Sequence, residues 1–146
     1  MPIMPDKKQL NSTPDEAEAA FYEAISKADI DALMALWADD EEIVCIHPGA
    51  PRLIGHTAIR ASYEAIFERG TVSIQATQLH SVQQLMSSIH SVVEHVSRQN
   101  DDLPDIHIIA TNVFIKTPHG WRIAMHHASV AAGKAPLDLF KASVLH

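Results

Sequence analysis

The hydrophobic period of this 146-residue chain changes once, near Gly70. Before that glycine, apolar residues recur every three or four positions. After it they alternate, so a helical front is followed by a strand-rich back. Thr13 and Glu16 form a capping box, Pro14 suits a first helical turn, and Ala17, Phe21, Ile25 and Ala28 make one apolar stripe. Asp29 can cap a second helix that carries Ile30, Leu33, Leu36 and Trp37. Residues 43–47 are β-prone and stop at Pro48-Gly49. Gly55 leads into a third helix with Ile59, Tyr63, Ile66 and Phe67 on one side. Four long strands are predicted near residues 71–82, 88–98, 106–116 and 121–130, turned at 100–104 and 118–120 between the later ones. Short turns make successive strands antiparallel. The predicted class is α+β, three N-terminal helices packed on a strongly curved antiparallel sheet. Such a sheet outruns its helices and leaves a small-molecule-sized cavity. Residues 1–12 read as a flexible leader, 13–130 as one domain, and 131–146 as a tail on the surface or against a partner subunit.

Charge narrows the partners. Eleven Lys and Arg face eighteen Asp and Glu, a formal net charge of −7. That balance argues against nucleic acid and anionic membranes, both of which need a basic footprint. No stretch reaches the roughly 18 apolar residues of a membrane span, and the first residues lack a signal peptide's apolar run. A cytoplasmic protein is the expectation. Cys45, the only cysteine, has apolar neighbours and reads as a buried, inert thiol.

Two stretches carry a resemblance. One is Val44-Cys-Ile-His-Pro-Gly49 followed by Leu53-Ile-Gly55; the other is Ala110-Thr-Asn-Val-Phe114 followed by Gly120-Trp-Arg-Ile-Ala-Met-His-His-Ala-Ser129. Together they resemble the SnoaL-like branch of the nuclear transport factor 2-like superfamily, over about residues 13 to 130. A weaker similarity points to the association domain of calcium/calmodulin-dependent kinase, which carries Asp-Pro-Gly where His47-Pro48-Gly49 stands here. The resemblance implies a cone-shaped fold and a homodimer through the outer sheet face. Activity is not implied with it. Superfamily members include ketosteroid isomerase, scytalone dehydratase, polyketide cyclases, dioxygenase small subunits and non-catalytic association modules.

Strand parity sorts the candidate site. On the last strand Arg122, Ala124, His126 and Ala128 share one face, and Trp121, Ile123, Met125, His127 and Ser129 share the other, which suits an interface core. With the preceding turn centred near His119, Asn112 falls opposite His126, and both are expected to point inward. The pair His126-His127 cannot chelate one ion, since adjacent strand residues face apart, and no metal or cofactor is expected. His126 and His47 are candidate proton carriers. Glu94 stands among Val92, Val93 and Val96, where burial would raise its pKa; the alternative is an ion pair with Arg98. Asn112 is the candidate donor to a ligand oxygen, with Trp37, Tyr63 and Phe67 as apolar wall. Neither the isomerase nor the dehydratase catalytic set of the superfamily transfers residue by residue. The functional expectation is a small-molecule-binding protein acting on a partly apolar carbonyl or carboxylate by proton transfer. Its rival is a non-catalytic association module.

Overall fold

The computed structural model of the protein describes residues 11–98 and 107–131, so the turn at 100–104, most of the leader and nearly all of the tail lie outside it. The elements run α1 (Pro14–Ser26), α2 (Ile30–Ala35), β1 (Val44–Ile46), β2 (Arg52–Ile54), α3 (His56–Glu68), β3 (Val72–Gln83), β4 (Ser87–Arg98), β5 (His107–Thr117) and β6 (Gly120–Ala131). Thr13 caps α1 by accepting from the Glu16 amide, and Glu16 reaches back to Ser12 instead of Thr13. Asp29 caps α2 through the Ala32 amide. Ala28, expected on the first helix's apolar stripe, stands outside α1 at φ +52° and makes the corner between the two helices.

Six strands form one sheet in the order β2-β1-β6-β5-β4-β3. The four long strands are antiparallel, as expected. The sheet as a whole is mixed, because β1 runs parallel to β6 with Cys45 beside His126, and a two-strand hairpin of β1 with β2 extends that edge. The strand β2, only three residues long, is absent from the sequence prediction. The helices cover the inner face, where Phe21, Leu33, Ile43, Ile59, Phe114 and Ile123 are fully buried. Among the described residues, no helix is long and apolar enough to cross a membrane.

A bulge in β6 corrects the predicted parity. Val113 pairs with Met125 but Phe114 pairs with Ile123, which leaves Ala124 as the extra residue. Beyond it the alternation inverts. Trp121 and Ile123, expected on the outer face, are therefore buried in the core with Phe21 and Trp37, whereas Met125, His127 and Ser129 keep the outer face.

Candidate functional site

The inner face of β4 breaks the usual apolar-in, polar-out rule. Ser88, His90, Val92 and Glu94 share it by alternation and all are buried, while Ile89 on the opposite face is exposed. Register then extends a polar row across the sheet: His90 pairs with Asn112, Asn112 with His126, and His126 with Cys45. Small residues flank that row, since Ala110 pairs with Ala128 on one side.

The helix α1 completes the cluster. Its apolar stripe seats it on the sheet, and the next stripe along, Glu18 and Tyr22 at i and i+4, turns two polar groups onto the row. The Tyr22 hydroxyl donates to Glu94 Oε2 at 2.6 Å. Asn112 Nδ2 donates to Glu18 Oε2 at 2.9 Å and to the Tyr22 oxygen at 3.0 Å, and its Oδ1 accepts from His126 Nδ1 at 2.5 Å. His126 Nε2 lies 3.9 Å from Glu94 Oε2. His90 Nδ1 is 3.1 Å from Glu18 Oε2, close but without hydrogen-bond alignment.

Burial sets the electrostatics. Withdrawal from water raises the Glu94 carboxyl from 4.5 to about 7, with the Tyr22 hydrogen bond opposing and the nearby Glu18 charge adding to the rise. Burial, helped by the charges of His47 and His127, lowers His126 to about 3, so its imidazole is neutral at pH 7. Tyr22 is pushed up by burial and by Glu94. A carboxyl poised near neutrality thus stands beside an imidazole that stays uncharged. Such a pair of environments pushing two groups apart is the physical basis of acid–base chemistry.

The other residues that the sequence nominates gather around Tyr63. His47 stacks edge-on against it with ring centroids 4.9 Å apart, and Phe67 lies at 6.1 Å. His47 Nε2 bonds the Ser62 hydroxyl oxygen at 2.9 Å, and Ser62 donates onward to the Ile59 carbonyl. Burial lowers the His47 pKa. Phe21 joins this group to the polar row, lying 6.4 Å from Tyr63 and 5.2 Å from His126. Cys45 is fully buried and its thiol is pushed up to about 12, as an inert cysteine should be.

Two placements differ from the roles the sequence suggested. Asn112 is inward, but its amide nitrogen donates to two protein acceptors, so it orients its neighbours within the protein. Trp37 is buried but lines a separate cavity of about 960 Å³ between α1, α2 and the β5–β6 turn, together with Ala24, Leu36, Ile115 and Arg122. That cavity shares no lining residue with the polar cluster. Sequence reasoning missed Glu18, Tyr22 and His90. The available signals were the i, i+4 pair beside the α1 stripe and the parity of His90 with Glu94. Among the described residues, no group of three or more His, Cys, Asp and Glu side chains is placed to hold a metal ion.

Known proteins share this architecture. The family model for the SnoaL-like domain matches residues 15–133. A Thiobacillus denitrificans structure, provisionally described as a calcium/calmodulin-dependent protein kinase type II association domain, is 34% identical with a TM-score of 0.76 and covers 90% of this chain and 100% of its own. A Streptomyces avermitilis structure, provisionally described as a dehydratase of the nuclear transport factor 2-like family, is 30% identical with a TM-score of 0.73 and covers 83% and 100%. A Nostoc punctiforme protein with a cystatin-like fold, 13% identical over 84% of this chain and 92% of its own at a TM-score of 0.68, shares the fold. No curated protein matches the chain.

Proposed function

The chain belongs to the SnoaL-like domain family, and on that premise we propose that it binds a small, partly apolar carbonyl or carboxylate ligand and moves a proton on it, as an isomerase, dehydratase or cyclase does. The observation that carries this reading is the buried pair of Glu94 and His126, the one held near neutrality and the other held neutral, with Nε2 and Oε2 3.9 Å apart. Burying polar side chains in a core costs stability that apolar residues would not, and function is the usual reason to keep them. In this reading the ionised Glu94 carboxylate, hydrogen-bonded to Tyr22, takes a proton from carbon next to the carbonyl and then returns it at the new position, as a carboxyl held near pH 7 can do in both directions. Neutral His126 keeps its Nε2 toward Glu94 and brings no positive charge beside it. Asn112 holds the imidazole, His47 stays neutral at the edge, and Tyr63 with Phe67 forms the apolar wall. The cluster is enclosed, with Glu18, Tyr22, Glu94, Asn112 and His126 all buried.

The test is deuterium exchange. Ligand released from native protein on denaturation is identified by mass spectrometry, then incubated with enzyme in deuterated water. Proton transfer incorporates deuterium beside the carbonyl. Glu94→Gln should slow this by about 10²- to 10⁴-fold, the range for general acid–base catalysis. Equal exchange by wild type and variant would remove Glu94 from the mechanism.

A second reading has its own observation. The outer sheet face carries an apolar row in which Ile89 pairs with Val113 and Val113 with Met125, and Ile89 and Ile109 are exposed. The 34% identical relative is described as an association domain. Under this reading the protein is a homodimer through that face. Met125→Asp, which forces a charge into the contact, should convert dimer to monomer in sedimentation velocity. An unchanged sedimentation coefficient would place any interface elsewhere.

A further inference from the structure

We infer that Glu18 is a positioning residue: acting through Asn112, it fixes His126 as the Nδ1–H tautomer and leaves Nε2 bare and facing Glu94. Donors and acceptors decide this. In its carboxylate form Glu18 has only lone pairs to offer, so the Asn112 group 2.9 Å from it must be the amide nitrogen. Tyr22 demands the same orientation, because its single hydrogen goes to Glu94 and only oxygen lone pairs are left toward Asn112. With Nδ2 held by these two acceptors, the other end of the amide, Oδ1, faces His126 Nδ1. A carbonyl oxygen only accepts. The ring must therefore carry its one proton on Nδ1, since at neutral pH it has no second proton.

Glu18, Tyr22, Asn112 and His126 are each at most 8% exposed, so water is poorly placed to take over any of these bonds. Turning the amide over would set its carbonyl against the Glu18 carboxylate, and the ring would keep its own contact only by moving its proton to Nε2. The relay starts at a residue on α1 and ends at a ring on β6, so the helix dictates the protonation of a strand residue that Glu18 does not itself bond. His90, 3.1 Å from the same Glu18 oxygen, flanks the start of this relay from β4. The catalytic meaning of the bare nitrogen rests on the proton-transfer reading above. The tautomer does not.

The test is nitrogen-15 NMR of the histidine rings in the intact protein at pH 7, with His126 assigned by substitution. Wild type should show His126 with Nδ1 in the protonated range and Nε2 in the unprotonated range. Glu18→Gln, nearly isosteric, offers an amide that can present either end, so Asn112 is freed to turn and His126 should shift to a mixture of both tautomers. Asn112→Leu deletes the acceptor and should release the ring in the same way. An Nε2–H ring in wild type overturns the proposal, as does a pure Nδ1–H ring in either variant that keeps a native amide spectrum. The predicted tautomer with no deuterium exchange on any ligand would sink proton transfer and leave the relay standing.

Discussion

Replacing Glu94 by glutamine should make the protein more stable at pH 8 by about 3 kcal/mol, while leaving its stability at pH 4 nearly unchanged. The sign follows from the direction of the shift. The Glu94 carboxyl is raised from 4.5 to about 7 in the folded protein. Between those values the folded state holds a proton that the unfolded chain has released, so stability falls as pH rises through this window. Above about pH 7 the full cost of a buried carboxylate is present, and below about 4.5 it is absent. Glutamine has no charge to desolvate, and its carbonyl can still accept from Tyr22. His126 works in the opposite direction. Its pKa is lowered to about 3, so between there and the ordinary 6.5 the unfolded chain binds a proton the folded state refuses, and stability falls as pH drops. The two residues oppose each other between about pH 4.5 and 6.5, and the variant should expose the histidine limb, to which His47, also lowered by burial, adds. Urea unfolding at pH 4, 6 and 8 reads this directly. Equal stabilities of the two proteins at pH 8 would mean that Glu94 ionises in the fold as it does in water.

Phe21→Ala should cost about 3–5 kcal/mol, a large part of the roughly 5–15 kcal/mol that holds such a domain together. Phe21 is fully buried, and its ring sits among four others: Tyr22 at 5.0 Å, His126 at 5.2 Å, Trp37 at 6.3 Å and Tyr63 at 6.4 Å. Deleting it opens a void between α1 and the sheet at the point where the apolar and polar halves of the interior meet. Stability and site chemistry should therefore change together. Water admitted beside His126 would let its pKa climb back toward 6.5, because burial is the main cause of its depression. Denaturant unfolding gives the first effect and a proton NMR titration of the ring gives the second. A loss below about 1 kcal/mol would mean that the neighbouring rings collapse into the space.

Most of the architecture is legible in the sequence, because it is written in local signals. The period change at Gly70, the caps at Thr13 and Asp29, and the turn at 118–120 mark elements that form where expected. That turn even sets the register that brings Asn112 opposite His126. Three features escape local reading for physical reasons. The β6 bulge at Ala124 shows only in its pairing with β5, and alternation alone cannot anticipate an inserted residue. The parallel pairing of β1 with β6 joins segments distant along the chain, and a three-residue strand carries too little pattern to announce a partner. Glu18 and Tyr22 look like an ordinary solvent-facing stripe of an amphipathic helix until the sheet supplies Glu94, Asn112 and His90 to meet them. Polar burial is a tertiary fact, visible only once both surfaces are in place.

The strand order has a temporal meaning. β6 is the last described element in the chain, yet it stands inside the sheet between β1 and β5. During synthesis the β1–β2 hairpin emerges early and must wait, because no strand pairing joins it to β3, β4 and β5 until β6 is made. His126 rides on that closing strand, so Glu18, Tyr22 and Glu94 are all synthesised before the imidazole they surround. The same strand that completes the core completes the buried polar cluster. A nascent chain halted before His126 is therefore unfinished both as a fold and as a site.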